Sequence, residues 1–312
     1  MAQSFLSTGI QAGNFEDLVD FVFKISYDQA PFLNAIGTVK AKAIKHEWMT
    51  QALRGAVANA QIEGFTPSFG SQTSAQGTGT GVARPRVRRS NQVQVIPDTI
   101  TSSMTQEYVE KAGLGSGSEY EAQKDLRMLE ITKDADFALL TSTTITRDAD
   151  AGTGGQMDGA LAWATGVFAI AGGSPPPNLT QDLFENLSRI IYQNSGQSAD
   201  TIVCSGVQRR MISTWTTPFK QHQMKDTEMV DTVETYRGDW GTQTVLPDFN
   251  LTPDTQILVF RKEYLKKAYL RPMAHYELGQ TIDGRRGYVV TEVTLEARNP
   301  QTVGKITGLL GG

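Results

Sequence analysis

The stretch "ARPRVRRSNQVQVI", residues 83–96, places Arg84, Arg86, Arg88 and Arg89 within six positions of a chain whose formal net charge is −4. In an extended strand, Arg84, Arg86 and Arg88 share one face and Arg89 takes the other, because side chains alternate with a period of two. A second strand-like run, "IKHEWMTQAL", precedes it. Between them lies "GAVANAQIEGFTPSFGSQTSAQGTGTGV", residues 55–82, rich in Gly, Ser, Thr and Gln and without sustained periodicity. A structureless insertion of that length inside a compact domain signals a functional loop or disorder. Together the three runs predict one very long hairpin reaching away from the body.

The body has material for one large core or two modest ones: 312 residues, 39% hydrophobic and 20% charged, with thirty glycines and twelve prolines. The acidic balance gives no global attraction to phosphate, so any grip on nucleic acid has to be local. A single cysteine, Cys204, excludes an intrachain disulfide framework and suits a reducing compartment. The opening "MAQSFLSTGIQAGN" has neither a basic region nor a long apolar run, and no segment approaches the ~20 apolar residues of a membrane span. No secretion signal and no membrane partner are expected.

Upstream of the hairpin, "NFEDLVDFVFKI" predicts a short amphipathic helix over 14–25, capped by Asn14. Pro31 should break it, after which Phe32, Leu33 and Ile36 form a hydrophobic plug. Downstream, residues 118–143, "SEYEAQKDLRMLEITKDADFALLTST", predict a long helix opened by a Ser118/Glu121 capping box. At ~1.5 Å per residue it runs on the order of 37 Å. Between 119 and 136 it carries Glu119, Glu121, Asp125, Glu130, Asp134 and Asp136 against Lys124, Arg127 and Lys133, a local balance of −3. Its early turns should be solvated or paired, and its "FALL" end buried.

Farther on, "LTQDLFENLSRIIYQNSG" predicts a helix stopped by Gly196. "TIVCSG" and "QILVF" predict buried strands with a helix near "VQRRMISTWT" between them, a mixed α/β subdomain over about 172–282. "RRGYVVTEVTLEARNP" alternates as a strand ended by Pro300, with Val289, Thr291, Val293 and Leu295 on one face.

Signals for chemistry are weak. His46, His222 and His275 are far apart and form no metal-binding pair, and one cysteine cannot build a zinc site. There is no G-x-S-x-G elbow. "GLGSGS" before the long helix departs from a dinucleotide fingerprint at Ser118 and lacks a buried strand leading in. No catalytic residue, metal ligand or cofactor is expected. The arginine run has no interleaved aromatics for base stacking, so an ion-pair partner is the more economical expectation. The acidic early turns of the long helix supply one, through Glu119, Glu121 and Asp125 of another copy.

The order "YDQAPFLNAIG", "HEW", long loop, capped helix, "DGALAW", "YRGDWGTQTVLPDFNL", "EYLKKAYLRPMAHYELGQTIDG" and "GYVVTEVTLEARNP" resembles the tailed-bacteriophage major capsid (major head) proteins over nearly the whole chain. The resemblance implies an α+β fold of the Johnson type. Its parts would be an N-terminal arm over 1–44 and an extended loop over 45–100. A peripheral domain would take 101–171 and 283–302 with its spine helix at 118–143, an axial domain 172–282, and a C-terminal tail 303–312. It implies self-assembly through hexamers and pentamers into an icosahedral head around double-stranded DNA, in the virion and, during assembly, in the host cytoplasm. Scaffolding and portal proteins would be partners, a cement protein is left open, and packaged DNA would be touched non-specifically. Phe32, Leu33 and Ile36 would dock the arm. Arg84, Arg86, Arg88 and Arg89 would contact Glu119, Glu121 and Asp125 of neighbours. One branch of the fold crosslinks subunits through a lysine, an asparagine and a glutamate, but no motif assigns those three here, so no covalent chemistry is expected. Lys40, Lys42 and Lys45 read as arm-surface charges. The alternatives are a nucleic-acid-binding protein using residues 84–89, and a nucleotide-dependent enzyme built on "GLGSGS".

Overall fold

The computed structural model describes residues 29–53, 84–109, 118–147, 152–169, 176–215, 235–251, 253–279 and 283–311, with six further positions between 55 and 64. The helix expected over 14–25, "GLGS" and nearly all of the 55–82 loop lie outside the described residues.

Three sheets organise the described residues. The first has four strands in the order β1 (Gly37–Lys40), β10 (Leu265–Leu278), β11 (Gly284–Ala297) and β4 (Gln94–Ser103). Strand β11 is its middle. The expected alternation is present in its sequence, yet Val289, Val290, Thr291, Val293, Thr294, Leu295 and Glu296 are all buried, so both faces are covered. One face receives the long helix α3 (Glu119–Thr141), whose Ile131, Ala135, Ala138, Leu139 and Leu140 join the main core. Strand β10 slips register on either side of Arg271, next to Pro272, which has no N–H for the ladder.

The second sheet has six strands in the order β5 (Gly166–Ala169), β12 (Gly304–Thr307), β9 (Ile257–Phe260), β6 (Thr201–Cys204), β8 (Gly241–Pro247) and β7 (Thr235–Gly238). Period-2 alternation joins the two cores through it. Ile202, Cys204, Ile257 and Val259 face a cluster with Phe184, Leu187 and Ile191 of α5 (Gln181–Ser195) and Ile212 of α6 (Gly206–Trp215). Val203, Leu258 and Phe260 face the opposite way, into the core shared with α3. Helix α5 ends as predicted at Gly196, whose left-handed backbone (φ 70°) closes the last turn.

The sheets redraw the expected boundaries. Strand β10 lies within the range 172–282 but belongs to the four-stranded sheet, because it pairs with β11 along its whole length. Residues 303–312 do not hang as a tail: β12 sits between β5 and β9, and Val303, Ile306 and Leu309 are buried. Its four residues, Gly-Lys-Ile-Thr, are too short to announce a strand.

Pro31 starts a helix rather than only ending one. It occupies the first turn of α1 (Pro31–Ala35), where a missing N–H costs nothing. Phe32, Leu33 and Ile36 are buried in the main core, with the Phe32 ring edge-on to Phe260 at 5.5 Å between centroids.

The long helix runs 119–141 instead of 118–143, and its start is built differently from the expected capping box. Ser118 is the N-cap residue but caps nothing with its side chain. Glu107, on the short helix α2 (Met104–Tyr108), does the work: its carboxylate accepts from Tyr120 N at 2.9 Å and from Ser118 Oγ at 2.9 Å. A charged acceptor at a helix N-terminus is favoured over a hydroxyl both as a hydrogen-bond partner and by the helix dipole. Glu121 is thereby left for other partners, Lys124 and Arg285.

Candidate assembly interface

The third sheet is a two-stranded ribbon, β2 (Lys45–Gln51) against β3 (Arg86–Gln92), the base of the predicted hairpin. Its register sets Trp48 opposite Arg89, Met49 opposite Arg88 and Gln51 opposite Arg86. One face therefore carries Glu47, Met49, Gln51, Arg86 and Arg88, and the other carries His46, Trp48, Arg89 and Asn91.

That second face ties the ribbon to the body at its root. Trp48 Nε1 donates to the Ala297 carbonyl at 3.0 Å, and its ring lies 5.5 Å from that of Trp163 on the short helix α4 (Ala160–Trp163). The buried Asn91 amide donates to the carbonyls of Leu295 (2.8 Å) and Asp158 (2.9 Å) and accepts from Asp158 N (2.8 Å). His46 Nε2 lies 3.1 Å from Glu296 Oε2, while Arg298 donates to the other oxygen at 2.9 Å. Burial pushes the Glu296 carboxyl up, but hydrogen bonds from Arg298 and His46 more than offset this and hold it below the usual carboxylate range. This tie contributes stability above that range and loses it only as pH falls through the depressed value.

Away from the root, the ribbon has little cover. Met49 is 63% exposed, Val87 51% and Leu53 93%. Arg86 and Arg88 are exposed, and Arg88 reaches Glu47 across the ribbon at 3.5 Å. An isolated two-stranded hairpin is marginal in water, and its free edges invite pairing.

The carboxylates expected to receive the arginines stand on the first turns of α3. Glu119 accepts from Gln123 at 2.9 Å, Glu121 pairs with Lys124 and with Arg285 (3.7 Å), and Asp125 is exposed. Within one chain, then, Arg88 and Glu121 are each matched to residues other than one another. Arg285 also binds Glu277 at 3.0 Å and sits 4.3 Å above the Tyr120 ring, whose hydroxyl lies 2.7 Å from His275 Nε2. The backbone of β11 must pass close beneath that ring. A Cβ on Gly287 would collide with the Tyr120 hydroxyl and fall 2.8 Å from the Tyr276 carbonyl.

Sequence reading did not single out Trp48, Asn91, Asp158 or Glu296 for this root. Alternation in "KHEWMTQ" could have marked the inward face of β2, but the partners come from distant segments. Lys40, Lys42 and Lys45 are exposed. Cys204 is buried, and burial pushes its thiol up to about 12, far from a nucleophile's range. Among the described residues, no group of three or more His, Cys, Asp or Glu side chains is placed to hold a metal, and no helix is long and apolar enough to cross a membrane.

A long helix across a four-stranded sheet, a second six-stranded sheet and an outlying ribbon together make an α+β fold of the phage major capsid class. Solved structures agree. The chain is similar to one from Mycobacterium phage Bobi (TM-score 0.61, 13% identity, 96% of each chain covered). It is likewise similar to one from Gordonia phage Cozz (TM-score 0.64, 8% identity, covering 96% of this chain and 92% of that one). The capsid of Myoviridae phage XM1 matches with a TM-score of 0.62 at 13% identity, over 97% of this chain and 100% of the other. No curated protein matches the chain. The family model described as SU10 major capsid protein matches residues 3–310, and the chain belongs to that family. It is a major capsid protein, a structural component of the virion that assembles into a phage head.

Proposed function

We propose that the β2–β3 ribbon is the element by which each subunit grips its neighbour in the hexamers and pentamers of the head. One observation carries this reading: the ribbon is rooted by Trp48, Asn91 and His46, while Met49, Leu53 and Val87 beyond the root stand exposed. Ordering such a segment costs roughly 1–2 kcal/mol per residue in backbone entropy, which a neighbouring surface can offset by covering its apolar side chains. Arg84, Arg86, Arg88 and Arg89 then select register by meeting Glu119, Glu121 and Asp125 of another copy. Exposed pairs contribute about 0–1 kcal/mol each, so adhesion comes chiefly from apolar contact. Phe32, Leu33 and Ile36 dock the arm that precedes them. The chain performs no enzymatic reaction and uses no cofactor. It assembles in the host cytoplasm with scaffolding and portal proteins, and contacts packaged DNA non-specifically. Weak net repulsion between an acidic subunit and phosphate keeps the lining from holding the genome.

The test is charge reversal at Arg86 and Arg88 together. The double variant should stay folded by circular dichroism and yield few or no shells by electron microscopy. Normal shell yield with normal salt resistance would overturn the reading. Steeply salt-dependent DNA binding by the wild-type subunit, lost in the variant while shells still form, would assign the arginines to nucleic acid instead.

A further inference from the structure

A pair of buried aspartates stands apart from the ribbon. Asp136, from the apolar end of α3, and Asp248, just after β8, are both buried and share Asn250 as a hydrogen-bond partner. They converge on the first turn of α1, whose leading N–H groups have no partner within the helix. Phe32 N donates to Asp248 Oδ2 at 3.3 Å, and Leu33 N donates to Asp136 Oδ1 at 2.6 Å. Asn250 bridges the two: its backbone N donates to Asp248 Oδ1 (2.9 Å) and its side-chain amide to Asp136 Oδ2 (2.8 Å). From β10, Lys267 Nζ donates to the Leu33 carbonyl at 2.8 Å.

We propose that Asp136 and Asp248 share one proton, and that this proton latches α1 to the spine helix and to the six-stranded sheet. Asp248 accepts from two backbone N–H groups, whereas Asp136 accepts from one and from the neutral Asn250 amide. Asp136 is then the proton carrier, because two carboxylates in contact inside a protein cannot both ionise cheaply. The surrounding charges support the assignment. Burial pushes the Asp136 carboxyl up, the Asp248 charge adds to this, and hydrogen bonds from Asn250 and Leu33 only partly offset them, leaving it at about 7. Lys267 faces the pair from β10; burial lowers its pKa and the Asp136 charge opposes that lowering. Beyond Asp248, the Cys204 of β6 feels both Asp248 and Arg209 of α6. Helix α1, Pro-Phe-Leu-Asn-Ala, brings no ionisable group.

The sign follows from linkage. The closed latch holds a proton that a solvated aspartate, near 3.8, has already lost. Its contribution is complete below that value, shrinks as pH rises, and is gone above about 7. The latch therefore opens toward alkaline pH, the reverse of the Glu296 tie.

The inference rests on contacts within one chain and is independent of how the ribbon is used. It is tested on the full-length chain by hydrogen exchange at the Phe32 and Leu33 amides, corrected for intrinsic exchange, between pH 5 and 8. Protection should fall by up to about tenfold per pH unit to about 7 and then level. Asp136→Asn, which cannot titrate, should flatten the profile. Flat wild-type protection, or an unchanged slope in the variant, overturns the proposal. If the variant does not fold, carboxyl carbon NMR of aspartate-labelled wild-type chain decides. One aspartate should titrate near neutrality, and finding none above the normal carboxylate range overturns the latch.

Discussion

Asn91 shows how one side chain can hold an appendage to a body. Its amide satisfies carbonyls at Leu295 and Asp158 while its oxygen takes the N–H groups of Asp158 and Gln92, so four hydrogen bonds meet at a buried position. Replacing it with alanine leaves those groups without a partner, and each unsatisfied buried polar group costs about 1–3 kcal/mol. Asn91→Ala should therefore lower stability by about 2–4 kcal/mol, read by denaturant unfolding, and should free the ribbon root to proteolysis before the rest of the chain. Unchanged stability with an intact root would show that Trp48 and His46 suffice. At this scale, only part of the site could be read from the sequence. Alternation put Arg89 on the face opposite Arg84, Arg86 and Arg88, and the apolar spacing marked Phe32, Leu33 and Ile36. The bridge among Asp136, Asp248 and Asn250 could not be read, because no local pattern reports a contact between segments so far apart.

Among elements, the spine helix is the most exposed to a single change at its start. Its cap comes from Glu107 on α2, so α2 and α3 are coupled through one carboxylate. Losing a cap costs typically about 1 kcal/mol. Glu107→Ala should lower the melting temperature modestly and raise hydrogen exchange in the first turn of α3, whereas Ser118→Ala should have the smaller effect. The opposite ranking would restore the capping box that the sequence suggested. That box failed for a physical reason: a Ser-x-x-Glu pattern records which groups could cap, not whether a stronger acceptor arrives from another element. The helix itself was legible, since no Gly or Pro interrupts it and its apolar residues gather at one end. Strands β2 and β3 were legible too, through alternation and the loop between them. The sheet to which β10 belongs could not be read, because membership of a sheet depends on partners, not on neighbours in sequence.

For the whole molecule, the six-stranded sheet decides the order in which things can happen. Its two faces belong to different cores, so neither core is complete without it. One of its inner members, β12, comes from residues 304–307. A chain ended at Val303 would leave β5 and β9 without their shared partner and open the core that holds Ile306 and Leu309. It should be insoluble or molten, checked by dye binding to exposed apolar surface and by loss of near-ultraviolet dichroism; a native-like spectrum would refute the claim. The same placement bears on synthesis. A nascent polypeptide carries its ribbon, spine helix and arginine row outside the ribosome well before residues 304–307 emerge, yet it cannot close its fold until they do. Half-made subunits therefore present the ribbon without a rigid frame to aim it, and productive encounter between copies waits until residues 304–307 have paired.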